Sequence, residues 1–185
     1  MTGGSDVDHR EALLRVANAR HGSESHRDRS LWDNTRHDHL ATATAAIEYF
    51  RVQELPIPTK AAIEQRHLAD LRVLADGVAA LVEGSTRPNR ALLQLLGRTR
   101  YAYDASGAIT AVGTGWTRFV ATLVPAFFKL QQRRRALRRC GNPGCRWIFL
   151  DASPGHSRLW CDMTTCGSRL KMRRYRRRLR RARSR

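Results

Sequence analysis

Residues 140–166 read CGNPGCRWIFLDASPGHSRLWCDMTTC and hold all four cysteines of the 185-residue chain. They form two pairs, Cys140-x4-Cys145 and Cys161-x4-Cys166, with fifteen residues between them. Two close pairs at matched spacing deliver four thiolates to one tetrahedral Zn2+. Each pair needs a tight turn, and Gly141, Pro143 and Gly144 supply the first. In the second, Asp162-Met163-Thr164-Thr165 leads into a helix N-terminus, where free N–H groups and the dipole favour thiolate. Between the pairs, Trp147-Ile148-Phe149 and Leu159-Trp160 flank Ser153-Pro154-Gly155, which predicts a β-hairpin and an aromatic mini-core. The alternatives for these cysteines are two disulfides or reduced structural thiols. His156 is left out as a ligand because four cysteines already fill the shell, and a filled shell keeps no position for a catalytic water.

After Cys166 the chain becomes a basic helix. Met172, Tyr175 and Leu179 recur at i, i+3 and i+7, a thin apolar seam, and residues 167–185 contain no acid. Alone, such a helix repels itself, and contact with a polyanion neutralises and orders it. Residues 133–185 carry 18 Arg/Lys against Asp151 and Asp162, whereas residues 1–132 carry 16 against 14 acids. Nearly all of the +18 formal charge therefore lies in the last 53 residues. Only Lys60, Lys129 and Lys171 are lysine. Arginine's planar fork suits bidentate phosphate and guanine contacts, although a general preference for arginine also inflates the number.

The stretch from Cys140 to Arg178 resembles the CGNR zinc-finger family. The family pattern of paired cysteines, an aromatic before Phe-x-Asp-x-Ser, and Trp-Cys-x-Met-x-x-Cys-Gly-Asn-Arg appears here as Cys140, Cys145, Trp147, Phe149, Asp151, Ser153, Trp160, Cys161, Met163, Cys166, Gly167, Ser168 and Arg169. Ser168 departs from it, standing where the family has Asn. The resemblance implies Cys140, Cys145, Cys161 and Cys166 as ligands of one structural zinc in a DNA-facing module. Asp151, Ser153, Trp160 and Ser168 are then expected to support the site through hydrogen bonds and packing, without catalysis. Members of the family carry an upstream helical domain called ABATE and are described as stress-induced transcription regulators. Residues 12–132 are similar to that domain in length and helix content, and its Leu-Asp-Phe-Val-Asn-like opening appears as Leu14-Arg15-Val16-Ala17-Asn18.

Upstream of the cysteines the pattern is mainly helical. Residues 1–40 are a polar segment, partly loop, with Ala12 to Asn18 as a helix or strand and Leu31 and Trp32 as inward anchors. His37 and His39 read as exposed loop histidines. Residues 41–132 form the body, whose domain boundary extends back to about residue 12 on the ABATE comparison. Ala41 to Val52 is a helix ended by Pro56 and Pro58. Thr59 is the expected N-cap of a long helix with Ile63, His67, Leu71, Leu74, Val78 and Leu81 on one face, His67 as a packed histidine. Gly84-Ser85 closes it. Pro88 opens a shorter helix through Leu92, Leu93, Leu95 and Leu96. Tyr101 to Tyr103 and Ala108 to Val112 flank a Gly-containing turn, a hairpin. Trp116, Phe119, Val120, Leu123, Phe127 and Leu130 define a last helix, which Pro125 is expected to kink or restart. Residues 133–185 are the finger with its basic helix. The fold class is mainly α, a helical domain with one small hairpin plus a zinc-binding β-hairpin–helix module.

The longest apolar run, Phe119 to Phe128, is ten residues including Pro125, half of a membrane span. Met1 to Arg10 has acids and no apolar core, unlike a signal peptide. A cytoplasmic, nucleoid-associated protein is expected. The expected function is a transcription regulator that binds DNA through the zinc module and an arginine helix. Arg158, Arg169, Lys171, Arg173, Arg174, Arg176, Arg177 and Arg178 would contact nucleic acid. An RNA- or ribosome-associated protein is the alternative. No Ser/His/Asp or Gly-rich phosphate signature favours an enzyme. A homodimer and a small-molecule effector of the body are left open.

Overall fold

The computed structural model describes residues 8–21 and 38–183. Leu31, Trp32 and His37 lie outside the described residues. Residues 12–18, helix or strand by sequence, form the middle of helix α1 (His9–His21), with Leu13, Val16, Ala17 and Asn18 buried. Helix α2 (Ala43–Val52) starts where the Thr42 side chain accepts the Ala45 N–H at 3.2 Å. Its Tyr49 stacks on His39, ring centroids 4.7 Å apart.

Helix α3 (Gln65–Val82) starts six residues after Thr59, the expected cap. The intervening chain is held out of helix by the body. The Trp116 indole donates to the Ala61 carbonyl at 2.9 Å, and Ile63 is drawn into the core. Glu64 caps α3 instead, its N–H donating to His67 Nδ1 at 3.1 Å. At the other end Gly84, at φ +98°, places its own N–H on the Leu81 carbonyl and that of Ser85 on Ala80. This left-handed C-terminal cap is one glycine adopts without a Cβ penalty. Helix α4 (Arg90–Arg98) is capped by Asn89, which accepts the Leu92 N–H at 2.8 Å.

Strands β1 (Tyr101–Tyr103) and β2 (Ile109–Ala111) form the expected antiparallel hairpin, Tyr101 opposite Ala111. Asp104 Oδ1 organises its turn by accepting the N–H groups of Ser106 and Ala108. Helix α5 (Gly115–Gln132) runs through Pro125 without a restart. Pro125 has no N–H to give the Ala121 carbonyl four residues earlier. The Tyr101 hydroxyl donates there instead, at 2.9 Å. Helices α1, α3 and α5 pack on one another around Leu13, Leu68, Leu71, Leu74, Leu123, Phe127 and Leu130.

A 3-10 turn (Arg134–Ala136) joins α5 to strand β3 (Leu137–Arg139), which pairs antiparallel with β4 (Ile148–Leu150). The hairpin expected about Ser153-Pro154-Gly155 does not form. Residues 148–150 take β3 as their partner, leaving Leu159-Trp160 outside the ladder. The cause is Asp151, whose N–H donates to the Ala136 carbonyl at 2.7 Å and extends the β3–β4 pairing. Its buried carboxylate accepts the Ser153 and Arg158 N–H groups at 2.9 and 2.8 Å, which curls 151–158 into a loop. One turn of π-helix (Met163–Gly167) leads into helix α6 (Ser168–Arg183). Among the described residues the fold is thus six helices and two small hairpins.

Leu137 and Ile148 belong to the same buried cluster as the body's leucines. Asn18 of α1 forms two hydrogen bonds with the backbone of Ile148. Arg139 donates to the His21 carbonyl and to Glu83 at 3.3 Å each. The hairpin is seated on α1 and α3.

Candidate metal centre

The first cysteine pair is itself the turn between β3 and β4. The Cys140 N–H donates to the Trp147 carbonyl at 2.8 Å, and those of Cys145 and Arg146 share the Asn142 carbonyl at 2.9 and 3.1 Å. Asn142 is fully buried, and its Oδ1 accepts the Gly144 N–H at 3.2 Å. Arg146 sits at φ +52°, which turns the chain back into β4.

The second pair is shaped by Asp162. Its Oδ1 accepts the Thr165 N–H at 2.7 Å and the hydroxyls of Thr164 and Thr165 at 2.7 and 2.9 Å. Its carbonyl takes the N–H groups of Cys166 and Gly167 at 3.1 Å each. The two knuckles are joined where the Gly141 N–H donates to the Leu159 carbonyl at 2.9 Å.

These turns bring the four sulfurs together, each within 4.8 Å of the others. Cys145 and Cys161 Sγ are 3.6 Å apart, and Cys161 and Cys166 Sγ are 3.7 Å apart. A tetrahedral Zn2+ with Zn–S of about 2.3 Å places its sulfurs about 3.8 Å from one another. The cluster therefore has the size of a zinc tetrahedron, and all four cysteines are free thiols, which removes the disulfide alternative. Cys140, Cys145 and Cys166 are buried. Hydrogen bonds from Cys145 and Cys161 lower the Cys140 thiol to about 7. Contact with Cys140 pushes Cys145 and Cys161 upward. Four thiols this close favour a cation that converts them all to thiolates.

The supporting residues act at different places. Asp151 builds the loop described above, and hydrogen bonding from Ser153, followed by the Arg158 N–H, holds its carboxyl at about 2. His156 Nδ1 faces the Asp151 carbonyl at 2.9 Å, so this histidine is engaged away from the sulfurs. Trp160 packs against the cysteine cluster. A Cβ on Gly167 would meet Trp160 Cδ1 at 3.0 Å and collide with Met163 Sδ, so glycine is required by close approach. Ser168 Oγ donates to the Met163 carbonyl at 3.1 Å, tying the π-turn to the start of α6.

The basic residues divide into two groups. Arg158 serves the finger: its guanidinium donates to the Trp160 carbonyl at 2.9 Å and to that of Cys161, and lies 5.2 Å from the Phe149 ring centroid. Arg169, Lys171, Arg173, Arg174, Arg176, Arg177 and Arg178 all lie on α6, which has no buried residue. Asn18, Asn142 and Arg139 were not anticipated as parts of this unit. Asn18 did carry a signal, as an amide in an otherwise apolar stretch, because a buried amide requires hydrogen-bond partners.

Residues 136–179 match the family model of the CGNR zinc finger. The matched stretch spans the β3–β4 hairpin, both cysteine knuckles and α6 as far as Leu179. With its four cysteines at tetrahedral separation, it is a site for a single structural Zn2+. No curated protein matches the chain. No helix among the described residues is long and apolar enough to cross a membrane.

Proposed function

We propose that the chain is a DNA-binding transcription regulator in which the CGNR finger presents α6 to the duplex. The observation that carries this reading is α6 itself. It is a sixteen-residue helix with ten Arg/Lys, no acid and no buried residue, anchored at one end by a zinc knuckle. At 1.5 Å per residue it is about 24 Å long, enough to lie across a groove. The zinc orients the helix and supplies no chemistry, because four protein ligands leave no open coordination position. Lys171, Arg173, Arg174, Arg176, Arg177 and Arg178 contact phosphates, and one or two reach guanine edges in the major groove. The helical body acts as an ABATE-type sensor or dimerisation unit, the protein is no enzyme, and it resides on the nucleoid.

The test is binding of zinc-loaded protein to duplex DNA and to structured RNA at matched salt. If roughly 6–10 phosphates are neutralised, DNA affinity falls about 10³–10⁵-fold between 50 and 200 mM salt. Truncation at Gly167 abolishes it. Salt-insensitive affinity, unchanged binding after truncation, or preference for RNA would each overturn the proposal.

A further inference from the structure

The helical body contains a cavity of about 400 Å³ between α3, the end of α4, the exit of β2 and α5. This is within the range of small-molecule sites, roughly 300–1,000 Å³. Its inner wall is apolar: Leu95, Val120 and Ala121 are almost fully buried there, and Val112 extends the wall outward. Its polar lining is dominated by guanidinium groups.

Arg66, Arg98 and Arg100 all line the cavity, against one carboxylate, Asp70. Arg66 is paired with Glu64 at 2.9 Å, and Arg98 is paired with Asp70. Arg100 makes no ion pair or side-chain hydrogen bond among the described residues. The Asp70 side chain is only 15% exposed, and burial raises its carboxyl above the ordinary value. The cavity therefore runs from a poorly solvated base at Asp70 to a rim where Arg66, Arg98 and Arg100 are exposed.

His67 sets the remaining polar contact. Its Nδ1 accepts the Glu64 N–H, so in the neutral ring Nε2 carries the proton and donates to Thr117 Oγ1 at 3.2 Å. Burial favours that neutral form. With Oγ1 already accepting, the Thr117 hydroxyl proton is available to the cavity it lines.

We infer that this cavity binds a small organic carboxylate with an apolar or aromatic body, its carboxylate held by Arg100 and Arg98 and its body against Leu95, Val112 and Val120. The apolar wall separates this class from inorganic anions, and the surplus of guanidinium separates it from neutral apolar ligands. Service as the regulator's effector site rests on the function proposed above, whereas occupancy of the cavity does not.

The experiment is titration calorimetry of the full zinc-loaded chain with 1-naphthoate. The neutral alcohol 1-naphthalenemethanol and inorganic phosphate serve as controls. Saturable 1:1 binding of 1-naphthoate is expected, weakened at least tenfold in Arg100→Gln. The alcohol is expected to bind at least tenfold more weakly than the acid, and phosphate not to compete. Circular dichroism confirms that the exposed Arg100→Gln variant is folded. Absence of saturable naphthoate binding, equal binding of the alcohol, competition by phosphate, or unchanged affinity in Arg100→Gln would overturn the inference. Loss of DNA binding with naphthoate binding intact would count against the regulator and leave the cavity assignment standing.

Discussion

Asn18 of α1 satisfies both backbone groups of Ile148 in β4: its Nδ2 donates to the Ile148 carbonyl at 2.8 Å, and its Oδ1 accepts the Ile148 N–H at 2.7 Å. Both residues are buried, 130 positions apart in the chain. The amide side chain stands where a further strand would pair with β4, and so fastens the finger to the body.

Replacing this amide leaves a buried N–H and a buried carbonyl without partners, each costing about 1–3 kcal/mol. Asn18→Ala is expected to lower unfolding free energy by roughly 2–5 kcal/mol while zinc content stays at one per chain. Chemical denaturation and metal analysis measure the two quantities. A change under about 0.5 kcal/mol, the size of an ordinary surface substitution, would show that the bond does not hold the units together.

Tyr101 and Pro125 form a second testable pair. Tyr101→Phe strands the Ala121 carbonyl and is expected to cost about 1–3 kcal/mol. Pro125→Ala restores the missing N–H, so Tyr101→Phe should cost much less in that background. A double-mutant cycle reads the coupling directly. Equal costs in both backgrounds would mean that the hydroxyl does not substitute for the helix hydrogen bond.

Removing the metal should unfold the finger before the body. Zinc binding free energy is folding free energy for such small units, whereas the body has its own leucine-rich core. On chelation, or in Cys166→Ser, amide exchange is expected to accelerate across 136–167 and to remain slow in α3 and α5. Retained protection around Cys140 and Cys161 without metal would contradict a zinc-dependent fold.

Asp151 carries a pH signature. Its carboxyl titrates at about 2 in the folded chain, below the roughly 3.9 of an unfolded aspartate. A depressed carboxyl stabilises the fold fully above the unfolded value and loses that contribution as pH falls toward the folded one. The carboxyl carbon resonance of Asp151 should therefore shift with a midpoint near pH 2. A midpoint at pH 4 would place the group in solvent and break the proposed loop.

Much of the architecture was legible before any coordinates. Helical spacing from His67 to Leu81 and from Trp116 to Leu130 marks faces that must be covered, because only period 3.6 aligns those side chains. The cysteine spacing likewise pointed to one metal. The errors came where a distant residue overruled local preference. Trp116 takes the Ala61 carbonyl, so α3 starts late, and Tyr101 satisfies Ala121, so Pro125 does not break α5. Residues 148–150 paired with 137–139 because Asp151 binds the Ala136 carbonyl.

The sequence alone determined where the main helical faces lie, which four sulfurs form a metal site and where the positive charge lies. These depend on local periodicity, spacing and composition. Only the tertiary structure decided which strand completes the finger, how Asn18 fastens it to the body and that three arginines from α3, α4 and β1's approach surround one cavity. Those outcomes require buried polar groups from distant parts of the chain to find one another, and nothing in a local pattern specifies the partner.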